Sequence, residues 1–157
     1  MQTVLLAGER ASSSAVRDAL REGRLEHAAQ LLGRPYSIDG RVVHGDKLGR
    51  QLGSATANIR IKHDRPPLLG VFAVEVSGID GAPRRGVANL GFRPSANQLV
   101  RPILEVHLFD FSADIYGAHL NVRFLHKLRD EMKFPDFDAL KAQIASDVEA
   151  AKKYFKF

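Results

Sequence analysis

A glycine-rich segment in the middle of the chain has the composition of a phosphate-binding loop. Residues 45–53 hold three glycines at four-residue spacing and two cations, Lys47 and Arg50. Glycine lets backbone N–H groups approach a phosphate closely, and a hydroxyl just downstream, that of Thr56, is of the type that ligates Mg²⁺. The segment matches neither G-x-x-x-x-G-K-[ST] nor G-x-G-x-x-G. The pattern therefore leaves a phosphate cradle and a long hairpin loop both open.

A second candidate is a carboxylate in the middle of a predicted strand. Alternation along residues 103–111 places Leu104 and Val106 on one face and Glu105 and His107 on the other. Acidic residues are depleted in strands, so Glu105 either lies on a solvated outer face or has a role such as general base. We predict His107 to be a surface strand residue.

The remaining charged residues, the histidines and the lack of cysteine indicate no further catalytic or metal site. The run 127–134 alternates in charge and is typical of a solvated connector held by local ion pairs. The six histidines show no ligand spacing, so no zinc site is expected. The chain contains no cysteine, which excludes a disulfide framework and a cysteine nucleophile.

Composition limits the class of protein. A chain of 157 residues, 45% hydrophobic and 26% charged, is expected to form one globular domain. The net charge of +5 arises in the middle third, where residues 33–103 hold 11 basic and 5 acidic residues. This leaves open a local anion site and a surface of scattered, solvated arginines. No apolar run approaches the length of a membrane span. We therefore expect a cytoplasmic protein with no membrane partner.

The elements that must position these residues follow from periodicity. A period of 2 predicts strands at 36–44, 70–77, 84–91, 103–111 and 118–128, and a weaker one at 56–61. Glycine- and proline-rich turns separate them without intervening helices, which favours an antiparallel sheet or barrel.

Helical patterns flank the strands at both ends of the chain. In the prefix 1–32, a first helix capped by Ser13 or Ser14 is expected to stop at Gly23, and a second to stop at Gly33. A final helix begins after Pro135 and Asp136. Its apolar stripe is expected to pack on the barrel and comprises Leu140, Ile144, Val148, Ala151 and Phe155.

Several short blocks occur together in the order found in one enzyme family. They are Thr56-Ala57-Asn58, Asn89-Leu90-Gly91 with Arg93-Pro94, the strand 104–111, Ile115-Tyr116-Gly117, and Lys127-Leu128-Arg129-Asp130-Glu131 with Phe134. In these blocks the chain resembles riboflavin kinases over residues 33–157, and in particular the C-terminal module of bacterial bifunctional riboflavin kinase/FAD synthetases. The prefix 1–32 is similar to the tail of the nucleotidyltransferase module that precedes it.

The resemblance implies a mainly β fold, a six-stranded antiparallel barrel with a C-terminal helix, and an enzyme that moves the γ-phosphoryl group of ATP to the 5′-hydroxyl of riboflavin. It implies that Glu105 is the general base, that Thr56 and Asn58 position Mg²⁺ and the phosphates, and that Arg129 and Glu131 bind the flavin. It also implies a loop that closes over the nucleotide. The residues of this loop implied to bind the nucleotide are Gly45, Lys47, Gly49 and Gly53.

One departure from the family keeps a second hypothesis open. Gly53 is followed by Ser54-Ala55, where the family has an aromatic residue and a proline that fixes the turn. The alternative is a non-catalytic barrel that binds flavin or nucleic acid. Nucleic acid is not expected, because aromatic residues make up 8% of the chain and tryptophan is absent. FAD synthesis is not expected from this chain alone, because no His-x-Gly-His signature is present.

Overall fold

Six antiparallel strands close into a barrel. The structure, a computed structural model, describes residues 4–6, 9–11, 13–43, 56–61, 66–94, 100–109 and 115–156. The barrel strands are β3 (Tyr36–Val43), β4 (Thr56–Arg60), β5 (Gly70–Ser77), β6 (Arg84–Pro94), β7 (Val100–Leu108) and β8 (His119–Arg129). They close in the order β3-β4-β7-β6-β5-β8, and every pair is antiparallel. The predicted six-stranded antiparallel barrel is confirmed.

The strands differ from their predicted bounds mainly between β6 and β7. This hairpin is longer than expected, since pairing continues to Arg93 opposite Arg101 and to Pro94 opposite Val100. The added residues include two arginines and a proline, which interrupt the apolar alternation on which the prediction depends. The weakest prediction, β4, is confirmed and pairs with neighbours on both sides.

Two apolar clusters lie on the two faces of the barrel wall. The interior holds Phe72, Leu90, Val106 and Phe124, each at most 1% exposed. The outer cluster comprises Val71, Ala73, Val87, Phe109 and Ala151. Because β5 contributes to both clusters, its residues 70–74 are all buried and its sequence is an almost continuous apolar run.

The C-terminal helix covers part of the outer face. Helix α3 (Phe137–Phe155) begins after Asp136, whose side chain accepts a hydrogen bond from the Ala139 backbone N–H at 2.8 Å. Val148, Ala151 and Phe155 pack in the outer cluster, as predicted for the apolar stripe. Leu140 and Ile144 remain only half-buried, and they form no part of that cluster. Among the described residues, no helix is long and apolar enough to cross a membrane.

The two predicted N-terminal helices are present. They are α1 (Ser13–Arg21) and α2 (Leu25–Leu32), and α2 ends at Gly33 in the left-handed conformation with φ 79°. A short antiparallel pair, β1 (Val4–Leu6) and β2 (Glu9–Ala11), precedes them and was not predicted. Apolar side chains of both helices, including Leu20 and Leu25, belong to the same cluster as the barrel interior. The helices therefore share the core of the barrel.

Candidate active site

Glu105 lies between two asparagines in a row that crosses three neighbouring strands. In strand register, Glu105 of β7 is opposite Asn58 of β4 on one side and Asn89 of β6 on the other. Directly opposed residues in antiparallel strands have Cβ atoms about 4.5–5.5 Å apart. The neighbours Leu104 and Val106 are fully buried in the interior, so Glu105 is on the outer face, where it is half-buried. The row brings one carboxylate and two amides together there.

The same row continues toward the predicted flavin-binding residues. Asn89 is opposite Val71 of β5, and Val71 is opposite Arg129 of β8. The order around the barrel is therefore amide, carboxylate, amide, valine, arginine. The predicted base and Arg129 thus lie on the same band of the outer face, with two strands, β6 and β5, between them.

Asn89 is a residue that the sequence analysis did not assign to the site. Its side chain is half-buried, and its Oδ1 atom is buried without a hydrogen-bond donor among the described residues. Buried acceptors in native proteins are nearly always paired. The sequence signal was weak: an asparagine in a predicted strand is unusual, but its place beside Glu105 depends on strand register.

Arg129 is held by a buried carboxylate of the C-terminal helix. Its Nε and Nη2 donate to the two oxygens of Asp147, each at 2.8 Å, and Gln143 donates to the same carboxylate at 3.0 Å. Asp147 is 5% exposed and is the single buried charged residue of the described chain. This bidentate pair fixes the plane of the guanidinium. The sequence analysis did not predict the role of Asp147.

The connector after β8 folds back over the end of β6. The Arg129 guanidinium lies 5.9 Å from the centre of the Phe134 ring, and its Nη1 donates to the Asp130 carbonyl at 2.9 Å. Lys127 donates to the Asp130 carboxylate, and this bond lowers the pKa of Asp130. The Glu131 carboxylate occupies the space in which a side chain at position 91 would lie. Gly91 therefore leaves room for Glu131 on the face that carries Asn89.

The predicted nucleotide-binding residues are described only in part. Asn58 is half-buried in the row of Glu105, and the backbone of Thr56 pairs with His107. Four predicted residues of the glycine-rich segment lie outside the described residues, as does the Thr56 side chain: Gly45, Lys47, Gly49 and Gly53.

The residues present fit a magnesium ion held mainly by phosphates. The amide oxygen of Asn58 is a hard oxygen donor, and Mg²⁺ in kinases is typically bound by one or two protein ligands together with substrate phosphates. Across the described ranges, no group of three or more histidines and carboxylates could hold a metal without such help.

His107 lies on the outer face, two residues along β7 from Glu105. Its ring is half-buried, and burial, together with the positive charge of Lys152, lowers its pKa. The neutral form is therefore favoured. The predicted surface position is correct for the strand face, but the residue is half-buried rather than exposed.

A concave region lies at the opposite end of β5 and β6 from Asn89. It is an open cavity of about 770 Å³ around the turn between these strands and Phe109. Its charges are engaged in ion pairs, since Arg84 binds Asp80 at 2.7 Å and Arg123 binds Glu75 at 2.6 Å. Glu105 is not among its lining residues. We therefore place the candidate site at the Glu105 row.

Comparisons with known proteins agree with this fold. The flavokinase (riboflavin kinase) family model matches residues 32–155. The bifunctional riboflavin kinase/FMN adenylyltransferase of Haemophilus influenzae is 53% identical over 150 residues, which are 96% of this chain and 48% of that protein. The corresponding Escherichia coli K12 protein is 48% identical over 154 residues, 98% of this chain and 49% of that one. The chain thus spans about half the length of the curated relatives it matches.

Solved structures show the same barrel. The riboflavin kinase of Trypanosoma brucei superposes with a TM-score of 0.53 at 27% identity, over 78% of each chain. A Streptococcus pneumoniae protein described as a macrolide-efflux protein superposes with a TM-score of 0.82 at 33% identity, over 97% of this chain and 50% of that one. The fold defines a small closed barrel with a helix across its outer face, a structure of the flavokinase class. The chain belongs to the riboflavin kinase family.

Proposed function

We propose that the chain transfers the γ-phosphoryl group of ATP to the 5′-hydroxyl of riboflavin and so forms FMN, with Glu105 as the general base. The observation that carries the proposal is the half-buried Glu105 between Asn58 and Asn89 on the outer face of the barrel. Membership of the riboflavin kinase family supports the reaction and favours it over a non-catalytic flavin- or nucleic-acid-binding barrel.

The proposed step needs one proton acceptor and correct positioning. The 5′-hydroxyl oxygen forms a bond to the γ-phosphorus as the bond from that phosphorus to the β–γ bridging oxygen breaks, and ADP leaves. The hydroxyl proton moves to the Glu105 carboxylate. A bound Mg²⁺, held by Thr56 and Asn58 with the phosphates, would neutralise charge that develops on the phosphoryl oxygens. The chain's main contribution is to hold the two substrates in line.

On this proposal, the two substrates lie on different sides of Glu105. We place the nucleotide phosphates on the β4 side, beside Asn58, Thr56 and the glycine-rich segment. We place the flavin ring on the β5 and β8 side, beside Arg129 and Glu131. On this side of the site, three apolar side chains are exposed: Leu69, Phe92 and Met132. Such side chains suit a planar aromatic ligand.

We assign only the kinase step to this chain. The matched relatives are bifunctional, and the chain corresponds to about half of each. We propose that residues 1–32 correspond to the end of a nucleotidyltransferase module and that residues 33–157 form the kinase domain. Because α1 and α2 share the barrel core, such an upstream module would connect directly to the kinase fold.

FMN formation tests the proposed reaction. The purified chain is incubated with riboflavin, ATP and Mg²⁺, and the products are separated by chromatography beside a control without ATP. We expect FMN to form at more than one equivalent per chain only when ATP is present. A folded chain that binds riboflavin but forms no FMN would support the non-catalytic barrel and contradict the kinase proposal.

A further inference from the structure

Asn89 has an unused hydrogen-bonding atom at the centre of the candidate site. Its Oδ1 is buried and meets no donor from the described part of the chain. The other such atom there is Arg123 Nε, but that guanidinium already binds Glu75 at 2.6 Å through Nη2. A buried acceptor without a donor is unfavourable, so a ligand that supplies a donor recovers that loss.

The position of Asn89 in the row indicates which ligand group supplies the donor. Asn89 lies directly beside Glu105, on the side that continues through Val71 to Arg129. On the proposed function, the reacting 5′-hydroxyl is at Glu105 and the flavin ring is beside Arg129. The ribityl chain that joins them must then pass over Asn89. Its secondary hydroxyls are hydrogen-bond donors.

We propose that the Asn89 side-chain oxygen accepts a hydrogen bond from a secondary hydroxyl of the ribityl chain, which makes Asn89 a substrate-binding residue. The inference rests on the proposed function. Asn89 as a whole is half-buried rather than buried, so rotation of its side chain can turn Oδ1 to the open side without backbone movement. Glu105, directly opposite Asn89 in strand register, carries a carboxylate of the type that accepts from Nδ2.

Asn121 shows how an asparagine with a structural role differs. It is also half-buried on a barrel strand, but its Nδ2 donates to Asp39 at 2.8 Å and to Ser37 at 3.1 Å. This amide therefore binds within the protein. Asn121→Leu is a matched control, because it makes the same chemical change in a similar strand setting away from Glu105.

The test compares riboflavin with lumiflavin, which has the same ring system but no ribityl chain. Binding of each flavin is measured by quenching of its fluorescence in the wild type, Asn89→Leu, Asn89→Ser and Asn121→Leu. Loss of one hydrogen bond is expected to raise the riboflavin Kd of Asn89→Leu by about three- to tenfold. We expect its lumiflavin Kd and its KM for ATP to match the wild type. Asn89→Ser keeps a hydroxyl acceptor and is expected to lose less.

Each other outcome has a defined meaning. An unchanged riboflavin Kd in Asn89→Leu, or an equal loss for both flavins, would overturn the inference. A change confined to the KM for ATP would assign Asn89 to the nucleotide side and would also overturn it. If Asn89→Leu does not fold, Asn89→Ala, which also removes the acceptor, takes its place, and a riboflavin Kd equal to the wild type would do the same. FMN formation by the wild type distinguishes failure of this inference from failure of the proposed function.

Discussion

Gly91 matters because of the side chain that it makes room for. A Cβ atom at this position would collide with the carboxylate of Glu131, an exposed residue of the connector. The backbone at Gly91 does not need glycine, since it is not among the residues with positive φ. The collision involves the end of a flexible side chain, so Glu131 can move away at little cost in stability.

Gly91→Ala is therefore expected to affect flavin binding more than folding. We expect a change of less than about 1 kcal/mol in the free energy of unfolding and an increase of several-fold in the KM for riboflavin. Steady-state kinetics and chemical denaturation provide the measurements. Gly81→Ala is the control, because a Cβ there meets nothing within 4 Å. Unchanged kinetics in Gly91→Ala would remove Glu131 from the flavin site.

His107 is expected to make stability depend on pH. Burial and Lys152 lower its pKa, so the unfolded chain takes up a proton at this residue before the folded chain does. The contribution of neutral His107 to stability is complete above the pKa of about 6.5 that a histidine has in the unfolded chain. It is lost as the pH falls from that value toward the lower pKa of the folded chain. His107→Gln should reduce the loss of stability between pH 7.5 and 5.5, measured by thermal unfolding. An identical pH profile in the two proteins would contradict the assigned pKa shift.

A buried ion pair joins β8 to α3. The side chain of Arg129 is 17% exposed and that of Asp147 is 7% exposed. Two hydrogen bonds join them. Removing one partner of a buried pair leaves an uncompensated charge and typically costs about 3–5 kcal/mol. The pair also fixes Arg129 at the side of the row where we propose that the flavin binds. It therefore links the position of the helix to the geometry of the site.

Asp147→Asn is expected to lower the free energy of unfolding by about 3 kcal/mol and to raise the KM for riboflavin with a smaller effect on the KM for ATP. Denaturation and steady-state kinetics measure the two effects. Asp138→Asn, on an exposed residue in the first turn of the same helix, is the control, with an expected loss below about 1 kcal/mol. Equal stability of the two variants would show that the ion pair contributes little.

The elements were largely predictable, because most have one buried face. The period of 2 in β3 and the apolar spacing in α3 follow directly from burial. The pair β1 and β2 was missed because strands of three residues are too short for a periodic signal. The extra length of the β6–β7 hairpin was missed because its residues 93 and 101 are arginines.

The site was less predictable than the elements that carry it. Glu105 was selected because a carboxylate is unusual in a strand, and Arg129 because of the family resemblance. Asn89 and Asp147 depend on strand register and on helix docking, which bring together residues far apart in sequence. A one-residue change in register would move Asn89 away from Glu105. No local pattern carries that information.

At the scale of the whole molecule, the prefix and the barrel form a continuous core. Leu20 and Leu25 of the prefix lie in the same apolar cluster as Phe72 and Phe124 of the barrel. A further contact joins α2, β8 and α3, since Glu26 binds His126 at 2.6 Å and the His126 ring stacks on Tyr154 at 4.8 Å. The helices on both sides of the barrel are therefore connected through β8, the strand that ends at Arg129.

The central claim is that Glu105 removes the proton from the riboflavin hydroxyl, and Glu105→Gln tests it most directly. The variant keeps the size of the side chain but cannot accept the proton. Loss of a general base typically lowers turnover by about 10²–10⁴-fold. Glu75→Gln is the matched control, because Glu75 is also half-buried on a barrel strand but binds Arg123 away from the site.

The decisive measurement is the rate of FMN formation at saturating riboflavin and ATP, together with the riboflavin Kd of each variant. We expect Glu105→Gln to lose at least about 100-fold in kcat with a riboflavin Kd close to that of the wild type, and Glu75→Gln to retain activity. A Glu105→Gln variant that forms FMN at the wild-type rate would contradict the role of Glu105 as the general base.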